Sequence, residues 1–144
     1  MATRTDYTGS CHCGAIGFTY RSAVVPAQWS IRACQCSFCR AHDALSISDP
    51  AGSITFTADR PDALQKYRFG LGTADFLLCR ECGVYIGALI ETAGKAYGIV
   101  NLHAFRERPA GLAAAKPMSY DGEDVGGRVG RRAERWTPVE TYPA

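Results

Sequence analysis

The seven cysteines fall into three short clusters, and none stands alone. The first cluster is Cys11-His12-Cys13-Gly14, the second is Cys34-Gln35-Cys36-Ser37-Phe38-Cys39-Arg40, and the third is Cys79-Arg80-Glu81-Cys82-Gly83. Zinc takes several soft ligands at about 2.3 Å, and thiolates grouped in this way can converge on it. A C-x-x-C turn delivers two sulfurs to one ion, and a C-x-C in a strand or tight bend places both on one side. Gly14 and Gly83, each just after the last cysteine of its pair, permit the tight backbone such turns need. Cys11, Cys13, Cys79 and Cys82 are therefore expected to form a closed structural zinc site. Cys34, Cys36 and Cys39 are expected to form a catalytic site with a fourth position open. The pairs could instead be buried thiols or a disulfide framework, and the trio a redox or purely structural cluster. An odd cysteine count and a reducing compartment argue against disulfides.

Three thiolates around zinc leave the site with a net negative formal charge. Such a centre is a weaker Lewis acid than the three-histidine zinc that brings bound water to a pKa near ~7. It keeps its affinity for a soft ligand, so the open position suggests a thiol, which the metal deprotonates on binding. An anion approaching an anionic site needs positive charge nearby. Arg32 and Arg40 flank the cluster, and Arg40 is the assigned substrate-binding candidate. His42 is a candidate fourth ligand or proton shuttle, against a surface role. His12 points away from the metal in this reading, and His103 ends an apolar strand as a packed or exposed side chain. Phe38, Tyr67 and Phe69 are assigned to the core.

These residues need a scaffold of short strands. Ile16, Phe18 and Tyr20 alternate with smaller or polar residues, as do Trp29, Ile31 and Ala33. Leu45 with Ile47, Ile54 with Phe56, and Val84, Ile86, Ala88 and Ile90 continue the pattern, and residues 96–102 form a further candidate. Period-two patterning of this kind marks half-buried strands. Residues 109–116 are the one fair helical stretch, opened by Pro109, with a shorter helical turn after Cys36. Residues 119–135, with four glycines and several charges, read as a loop. Trp136 is expected to anchor the C-terminal end on the body.

At 144 residues the chain suits one domain with its own hydrophobic core. Charged residues make up 21% and apolar ones 47%, as in ordinary globular proteins. A net charge of +2 is no electrostatic match for nucleic acid. The opening MATRTDYTGS lacks the apolar core of a secretory signal. No apolar run approaches the ~20 residues of a membrane helix, so the expected location is the cytoplasm.

G-S-C-H-C-G, then C-x-C-S-x-C-R, then C-x-x-C-G before an apolar strand, resembles the glutathione-dependent formaldehyde-activating enzyme family, to which centromere protein V is related. The resemblance covers about residues 9–105 and includes all seven cysteines; residues 106–144 then form a loop-rich extension. It implies a mainly β architecture, a β-tent of small antiparallel sheets held by zinc with little helix. It also implies two zinc ions per chain, divided between a structural site and a catalytic site as above. The family reaction adds glutathione to formaldehyde, giving S-hydroxymethylglutathione, and is classed as a carbon–sulfur lyase. The chain is thus expected to be a zinc-dependent lyase acting on the thiol adduct of an aldehyde or similar electrophile, with glutathione as the thiol. The alternative is a non-catalytic zinc module that binds protein or nucleic acid through Arg128, Arg131, Arg132 and Arg135. That basic stretch reads more simply as a solvated loop.

Overall fold

The computed structural model describes residues 3–143. Alternating residues from Ile16 onward build a paired hairpin, strand β1 (Thr5–Ser10) against β2 (Ile16–Ser22). Short strands β3 (Arg32–Cys34) and β4 (Ser46–Ile47) flank the second cysteine cluster. They are followed by β5 (Ser53–Ala58), β6 (Leu64–Tyr67), β7 (Asp75–Cys79), β8 (Tyr85–Thr92) and β9 (Lys95–Asn101). Strands β10 (Lys116–Met118) and β11 (Thr137–Thr141) complete the set. The two α-helices are α1 (Ser37–His42) and α2 (Val125–Arg135). The fold is mainly β, as the sequence pattern implies.

Two wings of sheet meet at β11. One wing runs β1-β2-β5-β11, with β11 parallel to β5. The other runs β6-β7-β8-β9, all antiparallel. The far edge of β9 is shared: Tyr97 and Gly98 pair with β11, while Val100 and Asn101 pair with β4. Beyond β4 lie β3 and, parallel to it, β10. This path carries the second cysteine cluster to one side of β9.

The buried side chains form two cores, the first shared by both wings and the second on β7, β8 and β9 with Trp136, and each includes cysteines of a cluster. The first packs Phe18, Tyr20, Trp29, Phe56 and Phe105 together with Cys11 and Cys79. The second packs Phe76, Tyr85, Ile90, Ile99 and Trp136 together with Cys39. Strand β8 is buried on both faces from Tyr85 to Ile90, where alternation suggested one wet face. The reason is α2, which packs on β8 and β9 and covers the second face.

Two sequence expectations are corrected here. Residues 119–135 are not a loop throughout, because α2 occupies their second half. Its glycines disfavour helix by about 1 kcal/mol each relative to alanine, and specific contacts overcome that cost. Asp124 caps the N-terminus, its carboxylate accepting from Gly127 N–H at 2.7 Å, which satisfies one of the orphan donors there. Glu123 accepts from Arg128 at 3.2 Å and from Arg131 at 2.7 Å. Residues 109–116 form no helix: Gly111 is left-handed at φ +77, and the chain passes into β10 at Lys116. The short helix expected after Cys36 is present as α1. The C-terminal extension thus contributes two strands and a helix, and Trp136 is buried in the second core.

Gly87 and Gly98 show how tightly β8 and β9 are stacked. A Cβ at Gly87 would lie 2.4 Å from the carbonyl oxygen of Ile99 and 3.1 Å from the Phe56 ring. Gly87→Ala is expected to destabilise the protein by about 1–3 kcal/mol through overpacking, read as a melting temperature lower by several degrees. An unchanged melting temperature would contradict this packing.

Candidate active site

The first and third cysteine clusters occupy matching turns. Cys11 N–H donates to Ile16 O at 3.0 Å, and Cys79 N–H donates to Val84 O at 3.1 Å. Both turns need a left-handed residue, supplied by Gly14 at φ +84 and Gly83 at φ +82, a region open to glycine at little cost. The turns face each other, and the four sulfurs lie within 4.8 Å of one another. Cys13 Sγ is 3.7 Å from Cys11 Sγ and 3.5 Å from Cys79 Sγ. Sulfurs at about 2.3 Å from a tetrahedral zinc would be roughly 3.8 Å apart, so the donor set and its spacing fit zinc. Backbone N–H groups steady the sulfurs: Ile16 donates to Cys11 Sγ and Cys82 to Cys79 Sγ, each at 3.4 Å. Arg60 reaches Cys13 Sγ at 3.4 Å while pairing with Glu81, which brings positive charge to a thiolate-rich site.

The second cluster is built by β3 and α1. Cys34 ends β3, Cys36 is the N-cap of α1 and accepts from Cys39 N–H at 3.4 Å, and Cys39 lies one turn inside the helix. Their three sulfurs are within 4.8 Å of one another, and among the described residues no histidine, carboxylate or further cysteine joins them. A hydrogen bond from Cys39 pushes the Cys34 thiol down to about 5, while the same bond and burial push Cys39 up. Three convergent sulfurs, with the Cys34 thiol pKa held down by its neighbours, fit a thiophilic metal such as zinc.

These sulfurs open on a cleft of about 80 Å³. Phe69, Phe76, Ile99 and Trp136 give it apolar walls, and Arg32, Arg128, Arg131 and Arg132 outweigh the one carboxylate of its lining, Asp121, in charge. The helix carries three of those arginines to the sulfurs. Arg131 lies 3.6 Å over the Tyr120 ring, and Arg132 lies 4.7 Å over Trp136.

The family model of the glutathione-dependent formaldehyde-activating enzymes matches residues 6–118. The chain belongs to this family. All seven cysteines fall in the matched segment, whereas α2 lies beyond it. The fold is also similar to the crystal structure of a Rhodobacter sphaeroides protein solved as a structural-genomics target. That likeness has a TM-score of 0.60 at 27% identity and covers 77% of this chain and 99% of that one.

The other candidate residues separate clearly. Arg32 lines the cleft. Arg40 is exposed on α1 and is not part of the cleft wall, so the positive charge expected of it comes instead from Arg32 and α2. Gln35 Nε2 donates to Ala33 O at 2.8 Å, on an exposed edge. His42 packs on Phe38, ring centres 4.5 Å apart, and is not grouped with the three sulfurs. His12 is exposed, and His103 sits 3.7 Å from Asp43. Phe69 was assigned to the core but walls the cleft, stacked on Phe38 at 5.0 Å. Arg128, Arg131 and Arg132 were missed as site residues. Their signal was the i, i+3, i+4 spacing, which puts them on one helical face once the segment is helical.

Proposed function

We propose that this protein is a zinc-dependent carbon–sulfur lyase that joins a thiol, with glutathione the leading choice, to formaldehyde or a similar small aldehyde. The observation that carries the reading is the opening of the Cys34, Cys36 and Cys39 sulfurs on a concave, arginine-walled cleft rather than on a fourth protein ligand. Family membership supports both the glutathione and the formaldehyde chemistry. In this reading Cys11, Cys13, Cys79 and Cys82 hold a second, structural zinc, and the enzyme works in the cytoplasm. No helix of the described residues is long and apolar enough to cross a membrane.

Zinc at the three-cysteine site would supply a soft Lewis acid that favours the thiolate form of a bound thiol. In the forward reaction a sulfur–carbon bond forms, the carbonyl π pair moves to oxygen, and the thiol proton ends on that oxygen. Reversal breaks the same bond. Arg32 and Arg132 offset the negative charge of the three cysteines, so that a further anion can enter. Phe69, Phe76, Ile99 and Trp136 limit water at the reacting sulfur, which strengthens those charge interactions. Arg128, Arg131 and Arg132 line this cleft and of the basic stretch only Arg135 is exposed, which favours the lyase reading over a continuous nucleic-acid-binding strip.

Cobalt substitution tests the reading. Glutathione added to the cobalt-loaded protein is expected to change the thiolate-to-cobalt absorption, with a pH dependence set by loss of the thiol proton. A fully loaded protein whose spectrum no small thiol perturbs would leave the non-catalytic module as the better account.

A further inference from the structure

We propose that Arg132 and Arg32 form a carboxylate-binding seat in the cleft wall, so that the protein selects a carboxylate-bearing substrate over a neutral one. The inference rests on the reading of the cysteine trio as the reacting centre and names the substrate class of that centre.

The four cleft arginines are not equivalent. Arg128 and Arg131 are paired with Glu123 at 3.2 Å and 2.7 Å. Arg32 and Arg132 have no carboxylate partner among the described residues. Arg32 donates to Ser48 Oγ at 2.7 Å. Arg132 is 8% exposed, donates to Thr73 Oγ1 at 2.8 Å, and leaves its Nε buried without any partner. Burial pushes its guanidinium down to about 10, the sign of a cation held where it is poorly solvated. Removing one partner from a buried ion pair is strongly unfavourable, so a lone buried guanidinium is a place where a ligand's anion belongs.

The cysteine thiolates account for part of that charge, since Cys34 acts on Arg132. They do not account for the shape. A guanidinium edge is a planar fork that matches two carboxylate oxygens, and a sulfur gives it a single acceptor. Trp136 beneath the Arg132 plane fixes the fork's orientation. A neutral thiol and formaldehyde offer this seat nothing. The carboxylate must come either from the thiol, as in glutathione, or from the aldehyde, as in a 2-oxo acid such as glyoxylate. Arg32 lies inside the segment that matches the family model, whereas Arg132 lies on α2 beyond it, so the family match does not supply the Arg132 half of the seat.

The zinc-loaded protein, titrated calorimetrically, decides between these sources. S-methylglutathione keeps both carboxylates but has no free thiol, so its binding does not depend on the proposed chemistry. If the thiol supplies the carboxylate, its dimethyl ester should bind about 10- to 100-fold more weakly, the scale of a charged hydrogen-bond pair. Arg132→Gln should weaken the acid by a similar factor and leave the ester unchanged, with Arg132→Lys in between. If the aldehyde supplies it, Arg132→Gln should weaken glyoxylate binding instead and leave S-methylglutathione unaffected. Wild-type affinity of Arg132→Gln for both probes would overturn the seat. Should that variant fail to fold, the wild-type protein suffices: equal affinity for acid and ester, together with no binding of glyoxylate, overturns it equally. A preference for acid over ester that persists while cobalt shows no thiol response would sink the lyase reading and leave the seat standing.

Discussion

Cys79→Ser is expected to give unfolded, aggregating protein. The Cys79 side chain is 2% exposed and belongs to the first core. Its sulfur accepts from Cys82 N–H and lies 3.5 Å from Cys13 Sγ, so it joins the end of β7 to the turn after β1. A structural zinc contributes an apparent ~10–16 kcal/mol of binding, whereas a domain is stable by only ~5–15 kcal/mol. Serine offers a harder oxygen donor at the end of a shorter bond, and the remaining three thiolates, of which Cys11 is buried, are left without a fourth sulfur. Circular dichroism and size-exclusion chromatography read the outcome. Soluble Cys79→Ser protein with the wild-type melting temperature would show that the four-cysteine site does not hold the fold.

Cys36→Ala should do the opposite and separate function from folding. Cys36 is half-buried at the start of α1, beside the cleft and away from the first core. Its removal costs a helix cap, about 1 kcal/mol, so the melting temperature should fall by only a few degrees. Metal content should drop toward about one zinc per chain, because two thiolates do not complete the open site. Formation of the thiol–aldehyde adduct should fall by at least about 100-fold, since even outer-shell changes at metal sites cost 10- to 100-fold. Global unfolding of Cys36→Ala would make the trio structural. Retained activity at one zinc per chain would move the chemistry elsewhere.

The contrast between these variants follows from the two cores, and half of it was legible in the sequence. Cluster size paired the first cluster with the third, two cysteines in each against three in the second, and the structure brings those four sulfurs together. Alternation found β2, β5, β8 and β9, whose inward residues are large and apolar. It did not find β7, whose Phe76-Leu77-Leu78 run is apolar without alternation, nor β1, β6, β10 or β11, which lie at the sheet's periphery or gain their partners only through long-range pairing. Strand β11 is the clearest case. It has five residues, opens on Thr137 and Pro138, and is fixed by two neighbours, β5 and β9, far from it in the chain.

The cleft was less legible than the metal ligands for a related reason. Glycines at 126, 127 and 130 hide α2 from any reading based on local propensity. The helix is held by local contacts, Asp124 capping Gly127 and Glu123 bridging Arg128 and Arg131, and by tertiary ones, its packing on β8 and β9 and the Arg132 bond to Thr73. Arg40 looked like the site's cation because it adjoins Cys39 in sequence, yet α1 leaves its side chain exposed. Arg132 follows Cys34 at a distance of nearly a hundred residues in sequence and faces the same cleft.

X-ray absorption at the zinc edge tests the central claim most directly, since it counts the sulfurs around zinc with and without glutathione. With both sites loaded, the account predicts a mean sulfur count below about four that rises toward four when glutathione is added, because only the Cys34, Cys36 and Cys39 site has a position to fill. A count already at four before any thiol is added, or one that glutathione leaves unchanged, would contradict an open thiol-binding zinc.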